Sequence, residues 1–430
     1  MTNTPTFFEA FRYWLKLGFI SFGGPAGQIS IMHKDLVEEK QWIDEDHFLQ
    51  ALNYCMLLPG PEAQQLTVYI GWLLHGHLGG LVAGVLFVLP AVFILLFLSW
   101  IYAAFGNVPT VEALFYGLKP AVAAIVAEAL IRMGKKSLKN GVLALIAVLS
   151  FAGIYFAGIP FPLIVLGAGL IGFAGSRFFP SAFIAADKPQ KQGVPSQAAG
   201  EKAKKRRSQA TLGHSLKIIA VCVPLWVFPV VVLGLTRGWN DIFVDIGLLF
   251  GKAAMVTFGG AYAVLAYISQ QAVSHYGWML PEQMMDGLGL AETTPGPLIM
   301  VTQFVGFFAA YTHAQGMSPA MAGLTGGLLT TWVTFAPCFM WIFVGAPYIE
   351  RLRNNRTLGA SLSAITAAVV GVILNLCVLF TIHAIRPSGG FDAFALVASL
   401  VIFVGLVRFK WGMIPVILGS ALAGWLWKTL

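Results

Sequence analysis

The sequence predicts an all-α polytopic integral membrane protein built from two inverted-topology repeats. Three observations carry that reading: the composition, a repeat held in register, and an exchange of positive charge between corresponding loops. Of 430 residues, 57% are hydrophobic and only 11% are charged, against about 25% in an ordinary soluble domain. With about 20 residues needed per crossing, such a chain spans a bilayer many times and leaves almost nothing for a soluble domain. The net charge of +8 would suggest nucleic acid in a soluble protein. Here the basic residues lie mostly between apolar runs, where they orient the chain, so no nucleic-acid partner is expected and bilayer lipid is the surrounding solvent. The first apolar stretch contains Glu9, Arg12 and Lys16 without a small-residue cleavage site, and it is expected to be retained rather than removed as a signal peptide. Cys55, Cys222, Cys338 and Cys377 are scattered and form neither a disulfide framework nor a zinc motif.

Stretches free of Asp, Glu, Lys and Arg cover 63–111, 141–176, 218–236, 253–281, 293–349 and 357–385. Gly, Pro and polar clusters divide them, notably at His75-Gly76-His77, Gly106 to Pro109, Gly158 to Pro160 and His313 to Pro319. Helical elements are expected near 6–32, 48–74, 78–105, 112–132, 141–157 and 160–178, then near 215–235, then near 242–270, 284–311, 319–347, 358–384, 391–407 and 411–427. That makes about 13 elements in the order six, one, six. The expected organisation is a first repeat over 1–184, a basic cytoplasmic linker over 185–214, a linking transmembrane helix over 215–236 and a second repeat over 237–430. The linker holds Lys188, Lys191, Lys202, Lys204, Lys205, Arg206 and Arg207 against Asp187 and Glu201, the composition of a solvated tether on the inner side.

The repeat is the strongest feature. Phe22-Gly23-Gly24 recurs as Phe258-Gly259-Gly260, Trp42 as Trp278, Pro59-Gly60-Pro61 as Pro295-Gly296-Pro297, Lys16 as Lys252 and Phe7 as Phe243, all at an offset of 236. With gaps, Leu89-Pro90 resembles Ala336-Pro337 and 121–126 resembles 365–370. Six elements before a cytoplasmic linker place the N-terminus inside as well, and the odd linking helix starts the second copy from the other side, so the C-terminus is expected outside. The loop charges agree. Arg132 to Lys139 is basic where its counterpart near Arg386 is almost neutral, while the neutral loop at Asn107 corresponds to Arg351, Arg353 and Arg356. Re-entrant hairpins in place of the first two elements of each copy would leave this parity unchanged. Inverted repeats of this kind mark secondary transporters.

Each Pro-Gly-Pro triplet should break its helix inside the membrane, since proline deletes a helix hydrogen bond and glycine loosens the backbone. New half-helices are expected to begin at Pro61 and Pro297 with their free N–H groups converging on one anion site. Gly23, Gly24, Gly259 and Gly260 offer either close helix packing or backbone open to a ligand. Lys16 and Lys252 are ionisable groups in apolar stretches, with snorkelling to the interface as the alternative role. Thr293 and Thr294 are candidates to cap the second half-helix or to donate hydroxyls to an oxyanion, and Asn53 and Gln64 to donate amides. Glu62 follows the first triplet, where a helix N-terminus favours an anionic side chain. Glu292 precedes the second without that support, and is the preferred proton carrier. The His75-x-His77 pair lacks a third ligand, and no cofactor-binding set is present.

Taken together, Phe22-Gly23-Gly24-Pro25, Trp42, Leu58 to Gln65, Gly71 to Gly76, Phe258-Gly259-Gly260 and Thr294 to Pro297 resemble the chromate transporter family in its long form, with two fused homologous halves. The resemblance covers nearly the whole chain outside the basic linker. It implies export of chromate from the bacterial cytoplasm across the inner membrane, powered by the proton motive force, with chromate resistance as the outcome and no enzymatic activity. A sulfate or other oxyanion carrier, working as an importer, is the alternative, because both ligands are tetrahedral dianions of similar size. A homodimer is compatible with the sequence, and nothing in it argues for one.

Overall fold

The computed structural model describes residues 5–183, 212–258, 260–348, 356–387 and 390–430. Most of the basic linker, together with Gly259, Arg351 and Arg353, lies outside the described residues. Each repeat begins with two helical hairpins whose arms are too short to cross a bilayer. In the first repeat, α1 (Phe7–Ile20) pairs with α2 (Gly24–His33), and α3 (Glu45–Cys55) pairs with α4 (62–74). Helices α1, α2 and α3 have 14, 10 and 11 residues. At 1.5 Å per residue each reaches about 15–21 Å, short of the roughly 30 Å hydrocarbon core.

Both hairpins return to the face they left. The Phe7 ring packs on His75 at 5.5 Å, and Trp42, beyond α2, packs on Tyr13 in α1 at 5.4 Å. His33, ending α2, meets Glu45, starting α3, at 2.5 Å. The tips at Ser21 to Gly23 and at Pro59 to Pro61 lie far from these ends, and Ser21 and the whole Pro-Gly-Pro triplet are buried. The stretches expected as single elements over 6–32 and 48–74 are therefore re-entrant pairs of half-helices, and six elements per repeat become eight helices. The segment Glu62–Phe105 also doubles back, at His75 and Gly76, where φ/ψ of −129/16° and 73/−160° leave the helical region. Its second arm is α5 (77–105), and a Cβ on either Gly71 or Gly79 would strike the other's carbonyl oxygen, so this hairpin closes only on glycine.

Helix α5 crosses to the opposite face and is followed by α6 (Pro109–Ser137), α7 (Gly141–Tyr155), α8 (Phe161–Phe178) and the linking helix α9 (Leu212–Arg237). The second repeat has the same order: α10 (Ile242–Val256), α11 (Ala261–Ser269), α12 (Pro281–Thr293), α13 (Val301–His313), α14 (Pro319–Gly345), α15 (Arg356–Ile385), α16 (Ala393–Arg408) and α17 (Met413–Thr429). Fine detail repeats too. Both first hairpins end in a π-helical turn, Lys34–Glu39 and Gln270–His275, and the Trp42 and Trp278 N–H groups donate to the Leu36 and Ala272 carbonyls at 2.9 and 2.8 Å.

Two sets of contacts show that the repeats are inverted. The equivalent helices α5 and α14 run antiparallel, with Gly80 against Phe343, Gly84 against Phe339 and Leu96 against Gly327. Helix α9 starts with His214 on the ring of His77, in the first repeat's hairpin turn, and ends with Arg237 donating to the Gln315 carbonyl in the corresponding turn of the second. Its 26 residues separate the two turns by about 39 Å. The repeats also interlock: α7 and α8 pack on α15, and α16 and α17 pack on α6, where Ser399 donates to the Pro120 carbonyl at 3.3 Å. Among the described residues six helices are long and apolar enough to cross a membrane. Phe93, Phe97, Leu166, Leu170, Phe173, Phe228 and Leu235 lie bare on the outside, as lipid-facing side chains do.

The inverted arrangement puts the loop after α6 and the loop after α15 on opposite faces. Alkaline phosphatase fused after Arg386 should be active and fused after Lys135 inactive, with fluorescent-protein fusions giving the reverse pattern. Equal activity at the two positions would rule out the inversion.

Candidate functional site

The tips of the re-entrant hairpins meet in the middle of the protein and are tied by reciprocal backbone hydrogen bonds. The Gly60 N–H donates to the Thr257 carbonyl at 2.8 Å, and the Gly296 N–H donates to the Ser21 carbonyl at 2.7 Å. Each Pro-Gly-Pro break thus holds the Phe-Gly-Gly break of the other repeat. Both glycines have positive φ, +127° and +105°. Each faces the partner repeat's long helix one residue past a buried proline: Gly60 against Cys338, after Pro337, and Gly296 against Ala91, after Pro90. The new half-helices start one residue later than expected, at Glu62 and at a 3₁₀ turn over Leu298–Met300. Pro61 and Pro297 keep extended ψ of 110° and 132° while their carbonyls accept the first helical bonds, from Gln65 and Met300, which makes them N-caps.

Four half-helices therefore begin at the centre: α2, α4, α11 and the turn leading to α13. Their N-caps are Gly23, Pro61, Gly260 and Pro297, and none makes a side-chain cap. Of the outer ends, Thr6, Asp44, Asn140, Asp241 and Asp392 cap α1, α3, α7, α10 and α16, whereas α6, α8, α12, α14 and α17 start without a side-chain cap. The carbonyl ends at the centre are well supplied with donors. The Ser21 and Thr257 hydroxyls donate to Leu17 and Ala253, each at 2.6 Å. The Gln28 amide donates to Gly296 at 2.6 Å and the Gln65 amide to Pro59 at 2.7 Å. Negative helix ends are thereby satisfied and positive ends left open, which favours an anion.

Of the expected donors, Gln64 is fully buried with neither amide atom paired. An unpaired buried amide is costly, so this one is a group waiting for a ligand or water. Thr293 and Thr294 do not cap the second half-helix. Their hydroxyls turn back to the Leu290 carbonyl at 2.7 and 2.8 Å, leaving the oxygens able to accept but not to donate again. Around Gly24 and Gly260 a Cβ would meet nothing within 4 Å, so these backbones border open space.

Three expected residues are not brought to the centre. Helix α1 buries Ala10, Tyr13, Trp14, Leu17 and Gly18, and Lys16 lies off that stripe on the outer face. There it lines a surface cleft with Arg12, Lys40 and Trp42, while Lys252 is exposed on the corresponding side of α10. Asn53 is exposed because α3 buries Phe48, Ala51, Tyr54 and Cys55 instead. Among the described residues no group of three or more His, Cys, Asp or Glu side chains could hold a metal ion.

The carboxylates are shared unequally between the repeats, one in the first and two in the second. Glu62 is half-buried at the start of α4. Glu292 is 7% exposed at the end of α12 and accepts a hydrogen bond from Tyr262 at 2.7 Å. Sequence reasoning missed Asp286, 5% exposed, which accepts from Tyr102 of the first repeat at 2.9 Å. It also missed Gln28 and Gln65, whose signal is a loss of repeat symmetry: Val264 and Val301 stand at the equivalent positions.

Inverted re-entrant hairpins meeting at unsatisfied helix N-termini define a membrane transporter of the inverted-repeat class. The profile of the family described as Chromate transporter matches residues 8–173 and 244–425, one match in each half. The chain belongs to that family. It is 28% identical to a chromate transport protein of Cupriavidus metallidurans over 98% of this chain and 93% of that one. It is 29% identical to a chromate transport protein of Pseudomonas aeruginosa over 97% and 92%, and 28% identical to a probable chromate transport protein of Synechococcus elongatus over 84% and 81%. No solved structure matches the chain.

The crossed tips leave no room for a methyl group. A Cβ on Gly60 would lie 2.7 Å from the Gln65 amide and 2.8 Å from Cys338 Sγ, and one on Gly296 would lie 2.8 Å from the Ala91 Cβ. Gly60→Ala and Gly296→Ala should each lower stability by about 1–3 kcal/mol, from overpacking and a strained φ. Gly167→Ala, which meets nothing within 4 Å, should not. Thermal unfolding in detergent compares the three.

Proposed function

We propose that the protein exports chromate across the bacterial inner membrane, draws on the proton motive force to do so, and confers chromate resistance. One observation carries the anion specificity: four half-helices start where the hairpin tips meet without side-chain caps, while the carbonyl ends beside them are occupied. A tetrahedral dianion presents acceptors in every direction. It matches the N–H groups at the starts of these half-helices, around Gly23, Gly24 and Gly260 on one pair of tips and at Glu62 to Gln64 and Leu298 on the other. The unpaired Gln64 amide supplies a further donor. The names of the relatives supply the choice of chromate.

Export is the downhill direction for such an ion. With the cytoplasm negative, each departing negative charge gains about 2.3 kcal/mol per 100 mV, so a dianion gains roughly 4.6. Proton exchange adds to this when a carboxyl alternates between neutral and charged forms. Glu292 fits that role, being buried at the break with a single tyrosine partner. Glu62, at the mouth of α4, instead tunes anion affinity as a like charge beside the site.

Inside-out vesicles should accumulate labelled chromate, and labelled sulfate in their place would assign the protein to the wider oxyanion carriers. Gln64→Leu should raise the half-saturating chromate concentration roughly ten- to a hundredfold, since a hydrogen bond to a charged group contributes about 1.5–3 kcal/mol. Glu292→Gln should abolish the response to a pH gradient while potential-driven flux survives. An unchanged pH response would remove Glu292 from the coupling mechanism.

A further inference from the structure

Asp286 is a buried carboxylate with no role assigned above. It lies in the outer half of α12, between the half-buried start of that helix and Glu292 at the central break. Its Oδ2 accepts from the Tyr102 hydroxyl at 2.9 Å, and its Oδ1 is buried without a partner. Tyr102 is enclosed by the rings of Phe115, Phe304 and Phe308, with centroids 4.8, 5.2 and 5.7 Å away, so its hydroxyl has little choice of direction. The hydrogen bond joins α5 of one repeat to α12 of the other. A carboxylate sealed in this way with a vacant oxygen is costly as an anion and is relieved by one small cation.

The surrounding charges favour a proton as that cation. Lys119 of α6 and Glu282 of α12 are the charged groups acting on Asp286, and they are of opposite sign. Helix α13 presents Phe304, packed against Gly287 beside it, and Lys428 of α17 is turned over the Tyr116 ring. Among the described residues no group of three or more His, Cys, Asp or Glu side chains is gathered there for a metal ion. Six residues further along the same helix, Glu292 feels Arg132 and Glu128, nearer the other face of the membrane. In the first repeat, Gln50 and Met56 occupy the positions equivalent to Asp286 and Glu292, so the acidic line exists on one side only.

Resting on the proton-coupled reading of the function, we propose that Asp286 is a second proton-binding site, the outer station of a path that leads along α12 to Glu292. A proton from the outer solution binds Oδ1 and makes the acid neutral, while Oδ2 keeps the bond from Tyr102. Its release to water inside the path restores the carboxylate. Tyr102 is a positioning residue that holds the acceptor toward the outer end of the path.

Infrared difference spectra of the purified protein between acid and alkaline buffer, without any anion substrate, test this directly. Wild-type protein should show protonated-carboxyl bands. Asp286→Asn should delete one band, Glu292→Gln should delete a different one, and Tyr102→Phe should shift the Asp286 band without deleting it. A spectrum of Asp286→Asn identical to wild type would overturn the proposal. Should that variant fail to fold, an unshifted Tyr102→Phe spectrum would do the same. In vesicles, Asp286→Asn should reduce the acceleration of export by an outside-acid gradient at least tenfold, and an undiminished acceleration counts against the site. If wild-type vesicles show no acceleration at all, proton-coupled export fails instead, and the spectra still decide whether Asp286 binds a proton.

Discussion

Two backbone hydrogen bonds, Gly60 N–H to Thr257 and Gly296 N–H to Ser21, organise the rest of the molecule. A helix that stops inside a membrane leaves polar groups that lipid cannot satisfy. Here each broken tip solves that problem for the tip arriving from the opposite face. The requirement explains the duplicated glycines, because only a residue at positive φ turns its N–H across to the other repeat while leaving room for Cys338 or Ala91. It also explains why the two repeats interlock through α6 and α15 instead of folding as separate bodies. A half-protein would have two re-entrant hairpins and nothing to receive their ends.

The same bonds create an electrostatic asymmetry along every tip. Carbonyl ends receive donors from glycine N–H groups, from the Ser21 and Thr257 hydroxyls and from Gln28 and Gln65. The amide ends receive none from capping side chains. Glycine and proline at these N-caps are therefore informative by what they lack. Serine, threonine or aspartate would stabilise the half-helix by about 1 kcal/mol, as they do at outer ends of this protein. Their absence at all four central starts leaves those half-helices without that stabilisation, in keeping with the proposed anion site.

Much of this was legible in the sequence. The constant offset of 236 exposed the repeat, the loop charges indicated inversion, and Pro-Gly-Pro located the breaks to within one residue. The Phe-Gly-Gly tips were read as packing or ligand contacts rather than as hairpin ends, because a glycine pair does not reveal its φ. Lys16, Lys252 and Asn53 were assigned by residue type, whereas the 3.6-residue stripe of buried neighbours turns each of them outward. Asp286 escaped notice because its partner Tyr102 is 184 residues away and has no repeat counterpart to draw attention to the pair. Features shared by the repeats could be read from the chain. Features that distinguish them needed the fold.

That distinction bears on direction. Two inverted copies of one unit give inward-open and outward-open forms that exchange under a two-fold axis in the membrane plane, so a perfectly symmetric protein would have no intrinsic reason to prefer either. Preference must come from residues that break the symmetry. The largest departures are the two buried carboxylates of α12, with Gln50 and Met56 at the equivalent positions, Glu62 with Leu298, and the glutamines Gln28 and Gln65 with Val264 and Val301. The first repeat carries the extra amide donors and Glu62, and the second carries the two acids of α12. Neutralising an acid on α12 changes the energy of moving that half-helix without altering α3, its counterpart, which holds no acid on its buried face. A ligand shifts a two-state equilibrium only through its different affinity for the two states. On the proposed coupling the proton sites of α12 lie on one repeat alone, so protonation biases the two forms unequally while the ion gradients set the direction in which the pair is driven.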